Sequence, residues 1–448
     1  MKKKVWGLCL ASSLLTAENN EELLKRVDAL SAEVEAMKAR QQEQSDSFVE
    51  EIGNLRDALF APAETYESFS SMGEAASKVY HSKSAVSIGG YGEYKYKKYI
   101  DFKNYDDDAA NETRRKSEFN IVRFVPYIGF RFNDWIVMNT EIEFEDGGAR
   151  SDNTKNYKYA IVEFSYLDFL FDEAYALRVG HVLVPFGLVN LNHEPVAYLT
   201  SERPTVETLI IPSTWHTNGV LLHGKTGAFE YYAGVVTSPD AGSFVEGRYI
   251  QQGRLGARQF TDDLSFVARA AYDLGGGLNL GASLFYGGSS VLEENKPGDS
   301  TGHTGDAEVT MTMAEIHATY QNHGFDIQTL AVYGGLDGDV DALPGNTGDE
   351  RISGRVNGQY LTVGYDLLNT FSTSQQLFAV ADVERLDLDA DGKTLYPDNH
   401  RFMEYSGGVA YFPDPKVTVK ADYWVRDYGS DAMLADESAF TATIGFIF

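Results

Sequence analysis

From Val86 to Phe448 the chain alternates apolar and polar positions with a period of two. In 118–132 one face carries Val122, Phe124, Ile128, Phe130 and Phe132, and the other Arg123, Tyr127 and Arg131. In 135–145, Ile136, Met138, Ile142 and Phe144 oppose Asn139, Glu141, Glu143 and Glu145. In 157–166, Ala160, Val162, Phe164 and Tyr166 oppose Glu163 and Ser165, and in 174–184 Leu177 and Val179 oppose Arg178. Such alternation marks strands with one apolar face. Further strands are expected near 86–102, 219–226, 228–238, 263–274, 278–288, 308–321, 325–335, 356–367, 376–386, 401–412, 417–428 and 438–448. The total is about sixteen, and an even number of strands of about ten residues is what a transmembrane β-barrel requires. The fold class read from this pattern is all-β: a roughly 16-stranded antiparallel transmembrane β-barrel, residues 86–448, behind an α-helical N-terminus.

The connections alternate in length. Short ones include Asn133-Asp134, Lys225-Thr226-Gly227, Gly275-Gly276-Gly277, Asn322-His323-Gly324 and Pro413-Asp414-Pro415. Long ones cover 103–117, 146–156, 185–218, 239–262, 289–307, 336–355, 387–400 and 429–437, with intermediate ones near 167–173 and 368–375. Short inner turns and long outer loops give a barrel this rhythm. An Arg or Lys at mid-bilayer on the lipid face costs roughly 2–4 kcal/mol. Arg123, Arg178, Arg269, Lys420 and Arg426 are therefore expected in a wet lumen, with Glu141, Glu143, Glu163, Asp382, Glu384 and Asp422. The last strand sets Phe440, Ile444, Phe446 and Phe448 on one face and ends on an aromatic, resembling the C-terminal signature of bacterial outer-membrane barrels.

Before the strands the period changes. Lys2-Lys3-Lys4 followed by the apolar run 5–15 reads as a signal peptide over residues 1–17. Residues 18–60 read as a coiled-coil stalk. Leu23, Val27, Leu30, Val34, Met37, Gln41, Gln44 and Phe48 recur at steps of four and three. Ile52, Leu55 and Leu59 continue the seam after a stutter. Residues 61–85, small and polar, read as a linker. This ordering implies an outer-membrane location with the stalk in the periplasm.

Composition narrows the possibilities. The formal net charge is −28, which disfavours nucleic acid. The one cysteine, Cys9, lies in the leader, so disulfides, thiolate metal sites and cysteine nucleophiles are excluded from the mature chain. The nine histidines are scattered without a His-x-x-x-His pair. Carboxylates sharing a strand face, such as Glu141 and Glu143, read as pore lining rather than an acid–base pair, and no catalysis is expected. Asp387, Asp389 and Asp391, with Gly392 and Asp398, follow the spacing of a calcium loop, so Ca²⁺ is the one cofactor the sequence raises. An acidic solvated loop explains the same residues.

The stretch 185–218 holds Pro185, Pro195, Pro204 and Pro212 between two strands. Long loops without regular structure are usually functional, and this one is placed to fold into the lumen as a constriction. Here the chain resembles the phosphate-selective porin O/P family. The resemblance rests on Gly180-His181-Val182-Leu183-Val184-Pro185-Phe186-Gly187-Leu188, His193-Glu194-Pro195, Glu202-Arg203-Pro204 and Ile210-Ile211-Pro212-Ser213-Thr214-Trp215. It implies a sixteen-stranded homotrimeric barrel in outer-membrane lipid, with an inward-folded third loop and in some members a coiled stalk. The family's phosphate channels look to be lined by ladders of arginine and lysine. This loop instead sets Arg203 against Glu194, Glu202 and Glu207, beside a wall bearing Arg123, Arg178, Glu141, Glu143 and Glu163. Rings of carboxylates favour cations. The expected function is passive diffusion of small hydrophilic solutes or ions, general or cation-leaning, with replacement of Glu202 and Glu207 by Gln shifting selectivity. An anion-selective channel, and a structural protein tethering the envelope through its stalk, are the alternatives.

Overall fold

The computed structural model describes residues 5–60, 67–102, 117–146, 160–256, 261, 263–290 and 307–448. The expected loops at 103–117, 146–156 and 289–307 fall almost wholly outside them. The chain divides into two units, Met1–Pro62 and Ala63–Phe448.

In the first unit a helix, α1, runs Val5–Phe60. Leu23, Val27, Leu30, Val34, Met37 and Phe48 stand 42–62% exposed on it, an apolar seam open to a partner helix. The side chains of the leader residues and of Leu55 and Leu59 lie outside those described.

The second unit is a closed ring of sixteen antiparallel strands, each paired with its neighbours in sequence. The first seven are β1 (Val86–Phe102), β2 (Glu118–Asn133), β3 (Ile136–Glu145), β4 (Ala160–Asp172), β5 (Tyr175–Leu183), β6 (His216–Thr226) and β7 (Phe229–Thr237). Then come β8 (Leu264–Asp273), β9 (Leu278–Ser290), β10 (Glu308–Asn322), β11 (Phe325–Gly338) and β12 (Arg355–Asp366). The ring ends with β13 (Gln376–Asp387), β14 (Arg401–Asp414), β15 (Val417–Asp427) and β16 (Glu437–Ile447). β16 closes on β1, with Tyr94 opposite Ile444 and Gly92 opposite Phe446, so no sheet edge is left unpaired.

The faces sort as expected except in β4, where a register shift at Glu163 turns Phe164 and Tyr166, read on the apolar face with Val162, into the barrel and leaves Ser165 outside. Phe124, Ile128, Val179, Val220, Leu284, Leu361 and Ile444 point outward and are exposed. Arg178, Arg269, Lys420, Glu141, Glu163, Glu384 and Asp422 point inward and are buried. An aromatic belt rings the outer face near the short turns, where Phe132, Trp135, Phe171, Tyr175, Phe229, Tyr272, Phe325 and Tyr365 are exposed. Such girdles sit at the membrane–water boundary. The belt also explains one misplaced strand end. β4 continues to Asp172, and the apolar run Phe169-Leu170-Phe171, which hides the alternation, supplies rings that pack with Trp135 at 5.9 and 6.0 Å. The β8–β9 turn needs its glycines, since Gly275, Gly276 and Gly277 all take positive φ (77°, 64° and 85°).

Part of the stretch read as a linker is a packed element. Helix α2, Glu74–His81, buries Ala75, Ala76, Ser77 and Val79. Met72, Ala75, Ala76, Val79 and Tyr80 follow helical spacing. The small residues on that face let the helix lie close to the wall inside the ring.

Candidate functional site

Among the described residues, the loop between β5 and β6 and the segment around α2 lie in the lumen. The loop spans 184–215, because β6 begins at His216 rather than near 219. Asn190 ties its neck. Its Nδ2 donates to the carbonyls of Val184 (2.7 Å) and Trp215 (2.9 Å), and its Oδ1 accepts from Trp215 N (2.6 Å). From this neck the loop crosses the barrel. Glu384 on β13 accepts from Thr205 N and Val206 N, both at 2.8 Å, at the start of a short helix, α3 (Val206–Leu209). Asp422 on β15 accepts from Ser201 N at 2.5 Å, and Gln328 on β11 donates to Ala197 O at 3.1 Å. β13 stands eight strands from β5 in the ring, so these contacts reach the opposite wall.

The predicted constriction residues divide into two kinds. Glu202 and Arg203 stay partly open, but Glu207 and Glu194 are buried and engaged by other parts of the chain. Glu207 is fully buried and accepts from Leu188 N (2.9 Å), Val189 N (2.8 Å) and Tyr360 Oη (2.7 Å). Burial pushes its carboxyl up to about 7, against the lowering by the Val189 and Tyr360 hydrogen bonds. Glu194, 1% exposed, accepts from Ala75 N and Ala76 N at 3.2 and 3.0 Å and so holds the first turn of α2. Glu202 pairs with Lys95 at 2.7 Å and Lys97 at 2.9 Å. Burial alone would raise its pKa, but the two ammonium groups hold it well below the usual carboxylate range. Arg203 donates to His193 O at 3.0 Å.

The predicted pore-lining residues all point inward, yet most are covered. Arg178 pairs with Asp168 at 2.8 Å and donates to the Met72 sulfur at 3.3 Å, beneath the α2 segment. Glu141 and Glu163 are fully buried against His193 of the loop, and Glu143 is 4% exposed. Arg123 pairs with Glu93 at 3.0 Å. The physical reason is shared: the lumen here is filled by chain, so inward does not mean wet.

The α2 segment was invisible as a functional element in the sequence. Tyr80 Oη donates to Asp168 at 2.7 Å, and His223 Nε2 lies 2.8 Å from the same carboxylate. Arg131 donates to Tyr80 O at 2.6 Å, Asn139 to Ala76 O at 2.8 Å and Tyr232 to Ser70 O at 2.7 Å. Phe69 stacks on Tyr80 at 3.8 Å. The helical spacing in 72–80 was the available signal. Between these fillers and the β10–β14 wall remains a cavity of about 730 Å³, lined by Ser68, Asn192, Glu194, Ala197, Gln321 and Asp366 among others.

The residues with calcium-loop spacing are engaged by different protein donors. Asp389 accepts from Lys393 N and Thr394 N, Asp391 from Ser353 Oγ and Gly354 N, and Asp387 and Asp398 pair with Arg401. Among the described residues, the group whose ligand atoms converge within 4.8 Å is Glu141, Glu163 and His193.

No protein-family profile matches the sequence. A protein of Aquifex aeolicus (strain VF5), known only as an uncharacterized protein, is 32% identical over 411 residues, covering 88% of this chain and 87% of that one. The chain belongs to the same family as that Aquifex protein. Its fold is similar to the outer membrane channel DcaP of Acinetobacter baumannii, with TM-score 0.51 and 13% identity over 81% of this chain and 97% of that one. It is also similar to OmpF of Salmonella typhi in its complex with daunomycin, with TM-score 0.50 and 11% identity over 81% and 97%. At these identities the likeness concerns the fold: a closed barrel of the porin kind.

Proposed function

We propose that the protein is an outer-membrane porin, a passive diffusion channel for small hydrophilic solutes or ions, with no catalytic step. The observation that carries this is the inverted polarity of a closed ring crossed by an inward loop. Apolar side chains face out under an aromatic belt, ionic ones face in, and the loop 184–215 reaches the far wall to narrow the lumen. The exposed seam on α1 supports a self-associating periplasmic stalk, and the porin likeness supports a trimer. The sequence likeness of the loop supports kinship with the phosphate-selective porin O/P family.

Selectivity has two readings. The acidic balance of the chain favours a general or cation-leaning channel. An anion-leaning channel is favoured by a local cluster. Lys95, Lys97, Arg123, Arg203 and Lys420 gather around the carboxylates of Glu93 and Glu202, with Asp422 and Glu143 at the margins. The reversal potential of the refolded protein in a planar bilayer under a salt gradient distinguishes them. Cation preference supports the first reading, anion preference the second, and no conductance at all defeats the channel.

A further inference from the structure

We propose that Glu141, Glu163 and His193 form a binding site for one divalent transition-metal ion, of the Zn²⁺ class, that fastens the inward loop to the barrel wall. Glu141 lies on β3, Glu163 on β4 and His193 in the loop, so a metal here would join three segments far apart in sequence. His193 Nε2 is 3.1 Å from Glu141 Oε1 and 3.6 Å from Glu163 Oε2. Ligand atoms about 2.1 Å from a tetrahedral Zn²⁺ stand about 3.4 Å from one another. The observed spacings bracket that edge without any side chain having to move far.

The histidine is oriented as a ligand. Its Nδ1 lies 3.0 Å from Asn190 O, a carbonyl that can only accept, so the proton sits on Nδ1. In the neutral ring Nε2 then directs a lone pair at carboxyl oxygens, which repel it unless a cation or a carboxyl proton lies between. Metal-bound histidines are held in this way, with the second ring nitrogen donating to a carbonyl. Asn190 thus serves both the neck of the loop and the orientation of the ring.

The carboxylates supply the independent observation. Both oxygens of Glu163 and Oε2 of Glu141 are buried and receive no N–H or hydroxyl donor among the described residues; Glu163 faces only the carboxyls of Glu141 and Glu143 and the His193 ring. Buried polar groups are nearly always satisfied. A doubly protonated His193 would engage Glu141 and leave Glu163 to share a proton with a neighbouring carboxyl, whereas one cation satisfies both carboxylates at once. Glu143 adjoins Glu163 and offers a further carboxylate. Arg203, donating to His193 O, stands beside the site, and Arg123 and Arg254 are the other positive groups near its carboxylates. One imidazole with carboxylates suits Zn²⁺ and its first-row neighbours better than Ca²⁺ or Mg²⁺, which prefer oxygen alone.

The test uses the full-length protein in detergent, stripped with chelator, equilibrated with Zn²⁺ and assayed for bound metal, then reloaded with Co²⁺ for its visible absorption. The expected result is one tightly held Zn²⁺ per chain and a Co²⁺ spectrum of mixed nitrogen and oxygen ligation. Glu163→Gln and His193→Gln should each weaken binding by about tenfold or more, as losing even outer-shell partners does. Heat-modifiable gel mobility identifies the folded variants, and Glu163→Gln, which keeps the side-chain volume, serves if His193→Gln does not fold. Zn²⁺ retained equally by both variants, or no Zn²⁺ held by the native protein, overturns the proposal; the latter would mean that the carboxyls share protons instead.

Discussion

Asn190 and Glu207 show how few side chains hold the inward loop. Asn190 makes three hydrogen bonds across its neck, and each buried partner left unmatched costs about 1–3 kcal/mol. Asn190→Ala should therefore lower stability by about 3 kcal/mol or more and expose the loop to limited proteolysis, which gel analysis after protease treatment reads directly. Glu207 carries a pH signature. Its pKa is raised in the folded protein from 4.5 to about 7. A raised carboxyl favours folding below about 4.5 and loses that contribution as pH climbs through about 7. Glu207→Gln should flatten the fall in thermal stability across that window, as a melting series from pH 4 to pH 8 would show. Its ion selectivity should be unchanged, contrary to the expectation from sequence, because the carboxyl is buried and engaged by other parts of the chain.

At the scale of elements, α2 and the loop are mutually supporting fillers. Glu194 of the loop holds the first turn of α2, and the wall residues Arg131, Asn139, Asp168 and Tyr232 hold the rest. Deleting 68–82 should empty one side of the lumen and raise single-channel conductance, while releasing Glu194 and loosening the loop. An unchanged conductance would show that solutes travel only past the opposite wall. The strands were legible because lipid and lumen impose a two-residue alternation that survives irregular loops. The filler α2 was not, since five apolar or small positions in a polar stretch look the same in a linker and in a helix lodged against a wall.

For the whole molecule, the distribution of charge matters more than its sum. The chain is strongly acidic, yet Glu384, Asp422, Glu194 and Glu207 hold backbone amides. Around Glu202 the basic side chains outnumber the acidic ones. Lys95→Gln with Lys97→Gln should free Glu202 and move the reversal potential toward cation preference, measured under the same salt gradient as the native protein. A null shift would place the selective part of the pore elsewhere.

The sequence by itself determined the barrel, its strand number, the existence of an inserted loop and the inward and outward faces, save in β4 beyond the register shift at Glu163. Each of these is written in local periodicity and in the alternation of turn lengths, which a membrane enforces residue by residue. Only the tertiary structure decided which inward charges meet water. The partners of Glu384 lie at 205–206, those of Glu194 at 75–76 and that of Glu141 at 193, and no local pattern joins positions so far apart. A carboxylate that lines a pore and one that holds a loop obey the same alternation; what separates them is the segment of chain that comes to rest against them.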